Sequence, residues 1–346
     1  MADLIHLSDR GLYCPAGDFY IDPWKPVDKA VITHAHADHA RPGSSHYYAT
    51  KVSEPILRKR LGDDITFTGY EYGDAFSFKD VRVSLHSAGH ILGSAQVRVE
   101  HAGQVWVASG DYKRDHDPSC APFEVVPCDC FITEATFSMP IYHWEPTAEV
   151  AREVVQWWND SAHQDKTCLL FCYSLGKAQR LLAEMTAYTD RTVLLHGAAV
   201  QLTEIYREAG IHMLPTAPAV VEGETKSKKD YYGELIIAPP GASGSAWMKR
   251  FGNISTGFCS GWMQLRGARR RKGYDRGFVI SDHADWESLL RTIKETGCSR
   301  VLATHGNTYS LVRFLQEHGI NAAALETAYG QPEEEFANST QTKESA

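Results

Sequence analysis

The chain has 346 residues, with 43% hydrophobic and 23% charged residues. At roughly 150 residues per domain that is about two domains' worth of ordinary globular composition, which excludes disordered, collagen-like and fibrous classes. The net charge of −8 argues against wholesale attraction to nucleic acid, yet residues 249–276 hold eight basic residues and one acid, so this stretch carries +7 and the remainder −15, and a local polyanion site stays open. Short β-branched and aromatic runs (Lys29 to Thr33, Tyr47 to Thr50, Val81 to Ser87, Ala95 to Glu100, Gln104 to Ala108, Phe131 to Glu134) follow one another with few helical patterns between them, which predicts a strand-rich first 140 residues. After Glu145-Pro146-Thr147 the texture changes. Ala148 to Trp158 and Leu175 to Tyr188 have apolar residues at helical spacing, and Thr167 to Tyr173 and Thr192 to Leu195 read as strands between helices. Glu222 to Asp230 reads as an exposed loop. From Gly277 onward two strand-like runs, Gly277 to Ser281 and Ser299 to Thr304, each lead into a helical pattern. The last sixteen residues, 331–346, are polar and read as a disordered tail. The longest apolar runs, such as residues 168–172, fall far short of the ~20 residues of a membrane span. The N-terminus carries Asp3 and His6 rather than a basic then apolar leader, so a soluble, cytoplasmic chain with no membrane contact is expected. Eight cysteines lack the paired CxxC spacing of a zinc ribbon and read as reduced structural thiols.

Histidine usage is more specific. His34-Ala35-His36-Ala37-Asp38-His39 places three imidazoles and a carboxylate within six residues, directly after the apolar run Ala30 to Thr33. Alternate residues of an extended segment point the same way. His34 and His36 can therefore meet one cation, while the following turn aims Asp38 and His39 at a second. Nitrogen plus carboxylate suits zinc first, with manganese or iron as alternatives. Further ligands must come from elsewhere, and candidates stand beside glycine at strand exits: Gly89-His90, Gly110-Asp111 and His305-Gly306. His86, His101, His116 and His196 are singletons and read as ordinary satisfied or exposed histidines.

The set His34-x-His36-x-Asp38-His39, Gly89-His90 and Gly110-Asp111 resembles the binuclear hydrolase motifs of the metallo-β-lactamase fold. Thr133-Glu134-Ala135-Thr136, Ser281-Asp282-His283 and Thr304-His305-Gly306 are similar to the extra motifs of its β-CASP branch, made of nucleases acting on RNA or DNA. Within that branch Phe19-Tyr20-Ile21-Asp22-Pro23-Trp24, Gly110-Asp111-Tyr112-Lys113 and Ser281-Asp282-His283-Ala284-Asp285 most resemble bacterial ligase-associated DNA exonucleases. The resemblance implies an α/β class fold, an αββα sandwich over residues 1–140 and 277–330, with an inserted β-CASP cap over residues 141–276. It implies that His34, His36 and His90 hold one metal, Asp38, His39 and His305 a second, and that Asp111 bridges both. Asp38 is counted among the catalytic groups as well. His283, kept basic by Glu134, would donate the proton to the leaving alkoxide, and Asp22 would orient a metal-binding imidazole.

The resulting expectation is a nuclease with two divalent ions, zinc or else manganese, cutting single strands or ends of DNA in repair, with a DNA ligase and other repair proteins as candidate partners. A histidine at position 305 is typical of RNA-processing members, so RNA stays open. A small-molecule metallohydrolase on the same core is the third reading. Arg266, Arg269, Arg270, Arg271 and Lys272 are the candidates to neutralise substrate phosphates, a solvated basic loop being the plain alternative. Ser243-Gly244-Ser245 could offer backbone N–H groups to a phosphate, with Trp247 for base stacking, or could be a simple turn.

Overall fold

The computed structural model describes residues 3–224, 226–265 and 273–329. They fall into two compact units. The first comprises the chain up to His116, Cys120–His143 and the chain from His283 onward. The second comprises Asp117–Ser119 and Trp144–Asp282.

The first unit is built on two sheets. Six short strands, His6–Leu7, Leu12–Cys14, Phe19–Ile21, Lys29–Val31, His46–Thr50 and Phe67–Tyr70, lie side by side in chain order. The second sheet runs Asn321–Ala324, Arg300–Gly306, Cys130–Ala135, Gln104–Ala108, Ala95–His101, Val81–Ser87, Ala75–Phe78, parallel across its first four strands and antiparallel beyond. Side chains alternate across a strand, and the sequence uses both faces. Val81, Val83, Leu85, Val97, Val99, Ile132 and Leu302 form one buried layer with Leu12, Phe19, Ile21 and Val31 of the other sheet. The intervening positions Val107, Phe131, Val301 and Ala303 pack instead with Leu289 and Ile293 of the helix Trp286–Thr296 and Leu311 and Leu315 of the helix Thr308–Glu317. Helices, one sheet and then the other are three successive layers of the αββα order. The helix Trp286–Thr296 is fixed at both ends, by the Asp285 carboxylate accepting from Ser288 N at 2.9 Å and by Gly297 in the left-handed conformation.

The second unit carries a six-stranded, all-parallel sheet in the order Thr216–Pro218, Val193–Leu195, Leu235–Ala238, Thr167–Phe171, Ile254–Cys259, Arg276–Phe278. Its central strands are buried throughout, as parallel strands covered on both faces require. Among the described residues its α-helices are Thr147–Ala162, Lys177–Glu184 and Gly197–Glu208.

Two expectations need correcting. The run Gly277 to Ser281 does not return to the first unit as a strand, because Arg276–Phe278 pairs in parallel with Ile254–Cys259. Ser281 and Asp282 also stay with the second unit, so the divisions fall after His143 and after Asp282 rather than after residues 140 and 276. The cause is a buried charge cluster. Arg180 reaches Asp117 at 2.5 Å, the Ser281 carbonyl at 2.7 Å and Asp282 at 3.1 Å, and Lys177 meets Asp282 at 3.3 Å. Breaking a buried ion pair leaves an uncompensated charge, so these segments are held together. Two helices were not foreseen, Glu54–Leu61 and Gly197–Glu208. All eight cysteines are free thiols. Among the described residues no helix is long and apolar enough to cross a membrane.

Leu85 is fully buried between the two sheets of the first unit. Leu85→Ala is expected to lower stability by about 2–5 kcal/mol, the usual cost of a buried cavity, read as a shift of the urea midpoint at constant slope.

Candidate metal centre

Strand exits of the first unit deliver the polar residues. His34 follows Lys29–Val31, and a turn closed by Ala40 N donating to His36 O at 2.8 Å brings round His36, Asp38 and His39. His90 follows Val81–Ser87 and Asp111 follows Gln104–Ala108, while Glu134 and His305 lie near the ends of their own parallel strands. The close approach of these ends depends on glycine. Gly110 has φ +56°, and a Cβ there would lie 2.6 Å from Thr33 Oγ1. His305 itself adopts φ +58°, a costly conformation for a residue with a Cβ. Its strand shifts register against Cys130–Ala135 between Glu134 and Ala135.

Two donor groups result. In the first, His34 Nε2 and His90 Nε2 lie 3.4 and 3.8 Å from Asp111 Oδ2, and His90 Nε2 lies 3.0 Å from His36 Nδ1. In the second, His39 Nε2 lies 3.6 Å from Asp38 Oδ2 and 3.7 Å from Asp111 Oδ2, and His305 Nε2 lies 4.0 Å from Asp38 Oδ2. Asp111 Oδ2 is common to both. Donors about 2.1 Å from one tetrahedral ion would stand about 3.4 Å apart, so the 3.4 to 4.0 Å spacings suit cations better than direct hydrogen bonds, whereas His36–His90 at 3.0 Å and His305 Nδ1–Asp111 Oδ1 at 3.1 Å are of hydrogen-bond length. The two buried nitrogens His34 Nε2 and His39 Nε2 have no hydrogen-bond partner among the described residues. Such orphaned groups are costly unless something binds them.

Supporting contacts turn these nitrogens inward. The Asp22 carboxylate accepts from Thr33 N at 2.7 Å, from Thr33 Oγ1 at 2.5 Å and from His39 Nδ1 at 2.7 Å. Thr33 spends its only hydroxyl proton on Asp22, so its 3.0 Å contact with His34 Nδ1 requires that nitrogen to donate. Both imidazoles are thereby held with Nε2 facing the carboxylates. On the other side, His283 Nδ1 donates to Glu134 Oε2 at 2.9 Å and lies 3.9 Å from Asp111 Oδ2, and Glu134 Oε1 accepts from Tyr112 N at 2.8 Å.

The electrostatics follow from burial and mixed charge. Burial pulls the His39 imidazole down, but Asp38, Asp111 and Asp22 outweigh it and lift its pKa to about 10. His305 is raised in the same way, burial being overcome by Asp111 and Asp38. His34 is pushed well below its usual value, by burial and by His39 beside it, and is neutral. Burial works to raise Asp111, yet His305, His39 and His283 hold it well below the usual carboxylate range. The cluster is an anionic pocket that retains protons where cations would sit.

Tyr329 lines this centre and was not foreseen. Its ring stacks on His39 with centroids 4.5 Å apart and planes 12° apart. No periodic pattern marks it in the sequence. Ser243, Ser245 and Trp247 belong to the second unit. There Ser243 N donates to Pro240 O, Ser245 N to Ala242 O and Gly244 N to Met248 Sδ, so the N–H groups expected to meet a phosphate are used within the turn. Trp247 packs edge-on against His196 and Phe251 at 4.7 and 4.6 Å, an arrangement that serves that unit's core. Arg266, Arg269, Arg270, Arg271 and Lys272 lie outside the described residues, as does the tail from 331 to 346.

No protein-family model matches the chain. Among curated proteins it is similar to one named "Probable DNA ligase" from Opitutus terrae, 31% identical over 319 residues that cover 91% of this chain and 30% of that protein. It is 28% identical over 120 residues to "Endoribonuclease YSH1" of Eremothecium gossypii, covering 34% of this chain and 15% of that one. It is 21% identical over 373 residues to the "RNase J-like protein" of Methanocaldococcus jannaschii, covering 89% and 88%. The chain thus spans less than a third of the length of the ligase-named and endoribonuclease relatives. A crystal structure of an Enterococcus faecalis V583 protein of unknown function matches 88% of this chain and 80% of its own at a TM-score of 0.57 and 14% identity, a likeness of fold alone.

Proton and cation compete for the second donor group. With His39 held to about 10, the metal-free protein carries its proton at pH 7, and raising the pH removes the competitor. Adding zinc to the metal-free chain in weak buffer at pH 7 is expected to release protons, and zinc affinity should climb as pH rises toward 10. Binding without proton release at pH 7 would contradict this electrostatic reading.

Proposed function

Because this chain belongs to the β-CASP branch of the metallo-β-lactamase-fold nucleases, we propose that it is a metal-dependent phosphodiesterase acting on DNA. In this reading His34, His36 and His90 would hold one cation and Asp38, His39 and His305 a second, with Asp111 available to both. The donor set fits zinc first and manganese second. Such a pair of cations would supply the Lewis acidity that activates a water and neutralises charge on an attacked phosphodiester.

One observation carries the assignment of chemistry rather than mere metal storage: the 2.9 Å Glu134–His283 contact stands beside Asp111, at the edge of both donor groups. Cleaving a P–O bond leaves an alkoxide that must gain a proton. Glu134 accepts from His283 Nδ1 and is itself pinned by Tyr112 N, so Nε2 of His283 is the atom that delivers it. Glu134 fixes the tautomer and steadies the imidazolium, the usual division of labour in a carboxylate–histidine pair. Asp22 and Thr33 keep His39 and His34 presented as ligands.

DNA is favoured by the ligase-named relative, whose likeness runs along 91% of this chain. A DNA ligase as protein partner and a role at strands or ends under repair belong to the same proposal. RNA is the second reading, motivated by His305 at a position where RNA-processing members keep histidine and by the endoribonuclease relative.

His283→Ala is expected to lower cleavage by about 10²–10⁴-fold, the usual contribution of general acid catalysis, with cation content unchanged. The assay is purified protein with zinc or manganese on matched, end-labelled DNA and RNA oligomers. Cleavage of DNA but not RNA supports the leading reading and the reverse supports the second. No cleavage of either polymer, or an undiminished His283→Ala variant, would end the proposal.

A further inference from the structure

The chain beyond the strand Asn321–Ala324 folds back over the second donor group. Leu325 N donates to Ala303 O at 2.8 Å, and the hydroxyls of Thr327 and Thr304 meet at 2.6 Å, one residue before His305. Ala328 O accepts from Arg41 Nη2 at 3.4 Å, and Arg41 Nε reaches the Asp38 carbonyl at 3.4 Å. Two stretches that carry the second group are therefore tied to residues 325–329: the turn of Asp38 and His39, through Arg41, and the strand exit of His305. The same course lays Tyr329 against His39. Its ring lies 6.1 Å from His305, and Trp24 meets its edge at 5.7 Å and 83°. The residue is buried. The first group is built differently, since His34, His36 and His90 pack edge to face on one another at 4.7 to 4.9 Å.

A ligand imidazole needs its donor atom aimed and its plane fixed. The Asp22 contact at Nδ1 aims His39, but a single hydrogen bond leaves the ring free to rock about that contact. A second ring stacked nearly parallel at 4.5 Å removes this freedom by contact alone. Trp24 also packs against Tyr329, in a T-shaped contact, so Tyr329 cannot move aside without losing buried apolar area.

We propose that Tyr329 is a positioning residue for the second cation. Its ring sets the plane of His39, and the segment it ends holds the exit of the strand bearing His305, so that both imidazoles converge on Asp38. The proposal rests on the two-cation reading above. It assigns the role to the flat ring and not to the phenolic hydroxyl, and it confines the effect to one of the two donor groups.

The test titrates the metal-free full chain with zinc against a chromophoric chelator, for the parent and for Tyr329→Ala, Tyr329→Phe and Tyr329→Leu. The parent is expected to take up two equivalents. Tyr329→Ala and Tyr329→Leu should keep one at parental affinity and bind the other about 10- to 100-fold more weakly, the usual cost of losing a residue that orients a ligand, while Tyr329→Phe should match the parent. Tyr329→Leu retains most of the side-chain volume and decides the matter if Tyr329→Ala fails to fold. A parent that takes up fewer than two equivalents overturns the two-cation reading itself. A parent with two equivalents, together with a Tyr329→Leu variant that binds both as the parent does or weakens both equally, overturns the role of Tyr329 alone.

Discussion

An ionised carboxylate cannot be taken out of water without positive charge to receive it, and Asp111 is only 3% exposed. The desolvation cost of such a group is several kcal/mol even after relaxation. Five imidazoles, of His34, His39, His90, His283 and His305, come within 4 Å of its two oxygens. Much of the first unit can be understood as the means of assembling that neighbourhood. Parallel strands end at one edge, glycines admit close backbone approach, and His305 accepts a left-handed conformation to face inward. A cation shared through Asp111 would resolve the same charge problem better than protons do, because it would also satisfy the nitrogens of His34 and His39.

Around that centre the supporting layer is asymmetric. Asp22 gathers three donors from Thr33 and His39 and so organises both donor groups through a single carboxylate. His283 is held apart from them by Glu134, close enough to Asp111 to share its field yet not among the closest donors. In the second unit, Arg180 and Lys177 fix Ser281 and Asp282, the residues that immediately precede His283 in the chain. Ser281 and Asp282 are therefore held within that unit by buried charge, a use of ion pairs for geometry rather than for net stability.

The donor cluster was legible because its signal is local: three histidines and an aspartate in six residues admit few structural explanations. His90, Asp111 and His305 were legible as polar residues beside glycine at strand ends, although their convergence came from the family resemblance. The roles of Asp22 and Glu134 came the same way, since a single acid near a strand carries no pattern of its own. Tyr329 was not legible. Its contact with His39 joins opposite ends of the chain, and an aromatic residue near a polar tail looks like any other. The helix Glu54–Leu61 was missed because charged residues fill much of it and leave little apolar periodicity. Gly277 to Ser281 misled for a related reason: its composition predicts a strand but cannot say which sheet will pair with it.

The central proposal is that Asp111 would stand between two cations. Anomalous X-ray scattering from crystals of the full chain grown with zinc tests it most directly. The account predicts two peaks flanking the Asp111 carboxylate, one among His34, His36 and His90 and the other among Asp38, His39 and His305. A single peak, or none within bonding distance of Asp111, would contradict it.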